Sequence, residues 1–295
     1  MKTPALLLSV SILLLGLFAH GQEEDAIAKA KKLADSLHYQ KGDITLRGGL
    51  AKIHVPEGFR YLDPADTGTV LSKIWGNPPN ANTLGMLVPA SLSVASPDGW
   101  AVIITYDEDG YVKDDEAAKL DYDKLLKQMQ DGTKQANEER KKQGYPPIDL
   151  VGWATPPRYD KATHKMYWAK ELKFGDSSES TLNYNIRILG RRGVLVLNAV
   201  ARMDQLREIE SVAPQIISMV DFQEGHRYAD FNISTDKVAT YGLIGLVAGG
   251  LAAKAGLFKL LLPFLLVAKK FVIIGIAAIA AFFKKIFGKK TTEIR

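Results

Sequence analysis

The segment TYDEDGYVKDDE, residues 105–116, carries six carboxylates within twelve residues. Laid over an EF-hand loop, Asp107, Asp109, Gly110, Val112 and Glu116 fall at its third, fifth, sixth, eighth and twelfth positions. Asp107, Asp109 and Glu116 are therefore candidate calcium ligands. Thr105 stands where the first aspartate belongs, and a strand leads in where an EF-hand has a helix. The plainer reading is a strand-to-helix connection whose acids cap the helix, which needs no cofactor.

A second set of chemistry-bearing residues is aromatic and amide. Trp153, Tyr167, Trp168, Asn183, Tyr184, Asn185 and Arg187 fall on neighbouring expected strands. In LNYNIRI, period two puts Asn183, Asn185 and Arg187 on one face and Leu182, Tyr184, Ile186 and Ile188 on the other. The second face reads as core. The first reads as a solvated sheet face, or as amides and a guanidinium offered to a sugar or peptide. Trp75 and Asn77 sit in the rigid WGNPP loop, where Trp75 either anchors core or touches a ligand.

Enzymatic signatures are sparse. The mature chain holds His38, His54, His164 and His226, none in an HExxH or HxH arrangement. GxSxG, P-loop and GxGxxG patterns are missing. With no cysteine, disulfides, thiolate catalysis and Cys-ligated metals are excluded. His164, at a turn before a strand, reads as a surface residue or a site residue. A hydrolase or transferase would have to join it to carboxylates such as Asp107, Asp121 or Asp123.

The elements that would hold these residues follow from periodicity. Residues 24–38 have helical apolar spacing, and GDITLRGGLAKIHVP reads as two strands across Gly48-Gly49, with EGFRYL extending the second. Asp63-Pro64 opens a short helix that Gly76-Asn77-Pro78-Pro79 stops. Strands follow at 85–88 and 100–106, and then a long helix over 114–143 whose polar far half projects into solvent. Strands recur at 148–154, 165–174, 181–189 and 193–201, with a helix from Met203 and a last strand near Asp221. Short turns between most strands indicate an α+β fold, mainly an antiparallel sheet with flanking helices.

Both ends of the chain read differently from this domain. Residues 1–21 have a lysine, an apolar run from Ala5 to Ala19 and the small-x-small pattern Ala19-His20-Gly21, as in a cleaved signal peptide. Residues 22–237 form the extracytoplasmic domain, with 28 basic against 32 acidic residues. Residues 238–295 reverse that balance, nine to one, so the basic character lies in the tail and a nucleic-acid reading fails. A helix over 238–258 would be about 31 Å long, matching a hydrocarbon core of about 30 Å. It reads as a transmembrane helix, and its Gly245 and Gly249 offer a GxxxG face for a homo-oligomer. Residues 259–295 form a basic, membrane-associated cytoplasmic tail, in which 260–283 is a second hydrophobic segment. A full second span there would place Lys269 and Lys270 mid-membrane at roughly 2.5–3.5 kcal/mol each, so this segment is expected along the inner leaflet.

The series WGNPP (75–79), GYVKDDEAAKLDYDKLL (110–126), LVGWATPPRYDKATHKMYWAKEL (150–172), LNYNIRILGRRGVLVLNAVA (182–201) and STDKVATYGLIGLVAGGLAAKAGLF (234–258) resembles a bacterial family of uncharacterised membrane-anchored proteins, domain of unknown function 2167. The resemblance implies a bacterial envelope setting, membrane anchoring and no assigned activity. More loosely, VPEGF and the close through VLVLNAVA, the last helix and MVDF look like the PsbP/Mog1-type α+β sandwich. The expected protein is thus anchored in the inner membrane, with membrane lipid and an envelope protein or glycan as partners. The alternative is an envelope-acting enzyme, which requires its acids and base to converge in a pocket.

Overall fold

The computed structural model describes residues 27–77, 82–115, 121–142 and 146–248. Two antiparallel sheets carry the domain. The larger has seven strands in the order β3-β4-β5-β9-β8-β7-β6: β3 (Phe59–Leu62), β4 (Gly85–Pro89), β5 (Ala101–Asp107), β6 (Ile148–Asp160), β7 (Lys165–Phe174), β8 (Ser180–Leu189) and β9 (Val194–Arg202). The smaller is β1 (Gly42–Leu46), β2 (Ala51–Val55) and β10 (Val220–Phe222), in the order β1-β2-β10. Helical residues 27–35 form α1; the others are α2 (Pro64–Thr69), α3 (Tyr122–Lys142), α4 (Leu206–Ser218) and α5 (Leu243–Ala248).

Alternation along the strands builds a core on each face of the large sheet. Tyr184, Ile186, Ile188, Leu195, Leu197 and Val102 point toward the small sheet and toward Ile209, Ala213 and Ile216 of α4. Lys165 fastens this layer, its Nζ donating to the carbonyls of Ile217 (2.8 Å) and Val220 (3.2 Å) where α4 ends. On the opposite face, α3 and α5 cover Met166, Trp168, Leu172, Val194 and Val196, while α1 and α2 cover Met86, Val88, Ala101 and Ile103.

Several expectations need correction. EGFRYL does not extend β2. A turn closed by the Phe59 N–H donating to the Pro56 carbonyl at 3.0 Å sends it to the other sheet as β3. Helix α3 starts at Tyr122, not at 114, with Asp121 capping it by accepting from the Lys124 N–H at 3.0 Å. Its far half is not solvent-facing throughout. Ala136 is buried, Asn137 donates to the Ile148 carbonyl (2.7 Å), and Arg140 donates to that of Pro146 (2.8 Å). These side chains fasten the outer strand β6, so polarity here signals edge capping.

Contacts also cross the expected boundary at 237. Val238 pairs in parallel with Tyr111, and Leu243, Leu246 and Val247 are buried with the α3-side core, so domain packing continues to Ala248. No helix among the described residues is long and apolar enough to cross a membrane. The expected signal peptide, residues 249–258 of the expected span and the 260–283 segment lie outside the described residues.

Candidate functional site

Antiparallel pairing gathers five strand ends at one edge of the large sheet. The last residue of β5, Asp107, pairs with Val194 at the start of β9; β8 ends beside it at Leu189; and Lys165 of β7 faces Asp160 of β6. The segment 223–242 wraps across this end. Gly110 permits the crossing: it has φ +106°, and a Cβ there would come within 2.7 Å of the Lys237 carbonyl oxygen. Tyr111 exchanges backbone bonds with Lys237 and Ala239, each 2.8 Å.

Four rings stack into a column at this end. Phe231 and Tyr111 have centroids 3.9 Å apart, Tyr111 and Tyr228 4.3 Å, and Tyr228 and His164 4.0 Å, with interplanar angles of 30° or less. The edge of the column is polar. The Tyr159 hydroxyl donates to Asp114 at 2.7 Å and lies 3.2 Å from His164 Nδ1, which stands 3.5 Å from the same carboxylate. Burial works against an ionised Asp114, but hydrogen bonds from Tyr159 and Tyr228 and the neighbouring His164 outweigh it, and its pKa falls. His164 adopts φ +52°, a left-handed conformation uncommon for a non-glycine residue, in the tight β6–β7 turn. Beside the column an open cleft of about 300 Å³ is lined by Lys113, Asp115, Ala239, Thr240, Tyr241 and Gly242.

A carboxylate brace completes the end. Asp236, its side chain wholly covered, accepts from Arg191 Nε (2.6 Å), Arg192 Nε (3.1 Å) and the Asn232 N–H (2.8 Å). The Arg191 hydrogen bond leads in holding its carboxyl far below the ordinary range.

The sequence-predicted residues are dispersed by comparison. Asp109 accepts the Tyr241 hydroxyl at 2.6 Å, Asp107 stands exposed near Arg187, and Glu116 lies outside the described residues. Among the described residues no group of three His, Cys, Asp or Glu is placed to hold a metal ion. Asp121 caps α3 and Asp123 is exposed on its first turn, so neither meets His164. Asn183, Asn185 and Arg187 do share a face, but it is buried and not solvated, because helices cover both flanks of it. Asn185 donates to Asn183 Oδ1 at 2.8 Å, and Arg187 donates to Asn185 Oδ1 at 3.3 Å and lies over Trp168 at 5.0 Å. Burial pushes the Arg187 guanidinium down to about 10, which leaves it cationic at neutral pH. Trp75 is core, donating to the Val94 carbonyl at 2.8 Å, and Asn77 is buried next to it. Trp153 donates to the Tyr122 carbonyl at 3.2 Å, bracing α3. Sequence reasoning missed Tyr111, Asp114, Tyr159, Tyr228, Phe231 and Asp236. Their only signal is that they are aromatics and acids in turns and strand ends, outside either period.

Fold and site together define a two-sheet antiparallel α+β domain with a polar-edged aromatic column at one end, where the chain leaves toward its apolar tail. The chain belongs to the family described as "Protein of unknown function (DUF2167)", whose model matches residues 38–280. No curated protein matches it. Among solved structures, the cyanobacterial PsbP (CyanoP) of Synechocystis is 11% identical, covering 63% of this chain and 92% of that one, with a TM-score of 0.35. LpqN of Mycobacterium tuberculosis, involved in cell envelope biogenesis, is 16% identical over 66% and 96%, with a TM-score of 0.31. The Ran-binding protein Mog1p of Saccharomyces cerevisiae is 14% identical over 61% and 84%, with a TM-score of 0.29. With TM-scores this low, the strand order remains the description of the fold.

Proposed function

We propose that this chain is a membrane-anchored bacterial envelope protein that binds an envelope protein or glycan at the aromatic end of its large sheet. The observation that carries the binding surface is the column Phe231–Tyr111–Tyr228–His164, with Asp114 and Tyr159 at its edge and the Lys113/Asp115 cleft alongside. Tyr111 and Tyr228 have both faces taken within the column, so a sugar or peptide side chain would meet the outer faces of Phe231 and His164 and the hydrogen-bonding groups fixed beside them. Supporting the anchor are the apolar run that continues in the sequence past Ala248, as far as Phe283, and the basic tail, which matches the positive-inside orientation that an export signal requires.

Binding is favoured over hydrolysis because the acids expected to act with His164 do not converge on it. The His164 imidazole is instead stacked on Tyr228 and engaged by Tyr159 and Asp114. The test uses full-length protein in its own membranes, carrying a photo-crosslinking amino acid at Lys113 or at exposed Ser178 in the β7–β8 turn. The expected result is one discrete adduct from position 113, resistant to alkaline carbonate extraction and lost in Tyr111→Ala. Identical adducts at both positions would overturn the binding surface, and release of the protein by carbonate would overturn the anchor.

A further inference from the structure

The fixed donors at the His164 end of the column all point inward. Thr163 donates its hydroxyl to Asp160 Oδ2 at 2.8 Å, and the Ala162 N–H donates to Asp160 Oδ1 at 2.9 Å. The Tyr159 hydroxyl hydrogen goes to Asp114, and that of Tyr228 to the Val112 carbonyl at 3.0 Å. His164 Nδ1 lies 3.2 Å from the Tyr159 oxygen and 3.5 Å from the Asp114 carboxylate. With the Tyr159 hydrogen already committed, both of these oxygens can only accept from Nδ1. The neutral imidazole therefore carries its hydrogen on Nδ1 and keeps a lone pair on Nε2. Among the described residues Nε2 has no hydrogen-bond partner, and the side chain is 30% exposed.

The backbone keeps this nitrogen in place. A φ of +52° is one that glycine or asparagine adopts more readily than histidine, and the Leu189 N–H fixes it by donating to the His164 carbonyl at 3.0 Å. Tyr228 takes one ring face at 4.0 Å, which leaves the outer face and Nε2 for a ligand. A residue held in an uncommon conformation, with one nitrogen anchored and the other free, marks a functional contact. The chemistry left outward selects what it contacts. Nε2 accepts, and the carboxylates of Asp114 and Asp160 beside it accept; the cations nearby, Lys113 and Lys161, are exposed on flexible stems. A peptide backbone brings a carbonyl for every N–H and needs fixed donors, which this end has committed elsewhere. Sugar hydroxyls donate without needing a bond in return, and the C–H face of a sugar suits an aromatic ring face.

We infer that His164 Nε2 and the outer imidazole face form a subsite for a neutral glycan, in which Nε2 accepts a sugar hydroxyl. This rests on the proposed binding surface and deepens it by choosing the glycan over a protein partner. The test compares photo-adducts from position 113 of the full-length protein in its own membranes, with His164 intact, His164→Asn and His164→Phe. Asparagine tolerates the left-handed backbone and keeps an N–H where Nδ1 stood, phenylalanine keeps a ring on Tyr228, and neither places an acceptor where Nε2 was. The expected result is an adduct that releases sugars on acid hydrolysis when His164 is intact, and a roughly fivefold loss of it in both variants. Near-ultraviolet circular dichroism identifies which variants are folded. Full adduct yield from a folded variant of either kind would overturn the role of Nε2. An adduct that contains polypeptide and no sugar would overturn the glycan and leave the binding surface standing. With His164 intact, failure to form any discrete adduct at 113 would overturn the binding surface and the subsite together.

Discussion

Burying a guanidinium costs several kcal/mol unless its donors find acceptors, so the setting of Arg187 says what it is for. Its Nη1 donates to the Ile186 carbonyl at 3.1 Å, its Nη2 to Asn185 Oδ1, and its plane lies near the Trp168 ring, leaving the side chain 7% exposed. Two of those partners belong to β8 itself and the third, Trp168, to β7, so the guanidinium is engaged within the sheet and offers nothing to a ligand from outside. Arg187→Ala is therefore expected to destabilise the domain by about 3–5 kcal/mol through lost packing and an orphaned Asn185 oxygen, and Arg187→Met by well under half of that. Urea unfolding of both variants, with unchanged crosslinking from Lys113 in the Met variant, checks this. Period two in LNYNIRI separated the two faces of β8 correctly, because alternation is a property of the strand itself. It was silent on burial of the polar face, which depends on helices supplied from other parts of the chain. Polar residues inside a sheet resemble solvated ones in sequence and differ only in having protein partners.

Edge strands expose unpaired backbone groups that invite other chains, and the treatment of β6 shows one remedy. Asn137 both donates to the Ile148 carbonyl at 2.7 Å and accepts from the Ile148 N–H at 2.8 Å. Two turns earlier, Gln130 donates to the carbonyls of Leu150 and Val151, each at 3.1 Å. Helix α3 thus carries amides seven residues apart on one face, in register with the outer side of the strand. Asn137→Ala orphans two backbone groups at once and is expected to cost about 1–3 kcal/mol. Hydrogen exchange should show lost protection at the Ile148 amide while β8 and β9 amides stay protected from local opening. Helices, strands and most turns were readable from caps and periodicity, down to Asp63 capping α2 at 2.9 Å. The far half of α3 was not, because an all-polar helix face carries the same pattern whether it meets water or a strand edge. The aromatic column was hidden for a related reason. Its rings come from three segments distant in sequence, around Tyr111, His164 and Tyr228–Phe231, and only the gathering of strand ends makes them neighbours.

At the scale of the whole molecule, the central question is where the domain stops and its tail begins. Charge and hydropathy place that boundary at Lys237, since the acidic stretch ends there and the apolar run starts. Packing places it later. Ala239 donates to the Tyr111 carbonyl at 2.8 Å, Tyr241 reaches Asp109, and Leu243, Leu246 and Val247 are each 3% exposed or less. Gly245, read as part of a helix-packing face, is crowded by Tyr241, where a Cβ would come within 2.6 Å of the Tyr241 Cβ; Gly249 lies outside the described residues. Each of the three buried aliphatics contributes about 1.5–3 kcal/mol of transfer free energy, a large share of the 5–15 kcal/mol typical of a domain. A chain ending at Ala248 is therefore expected to unfold in one cooperative urea transition. A chain ending at Lys237 lacks Leu243, Leu246 and Val247 from the core cluster that holds Met166, Trp168 and Val194, and is expected to bind hydrophobic dye and lose near-ultraviolet circular dichroism. Equal cooperativity in the two truncations would mean that the sequence boundary is the physical one. A difference would mean that the first turns of the apolar run belong to the domain and, through the Ala239 N–H donating to the Tyr111 carbonyl, help to hold the aromatic column in place.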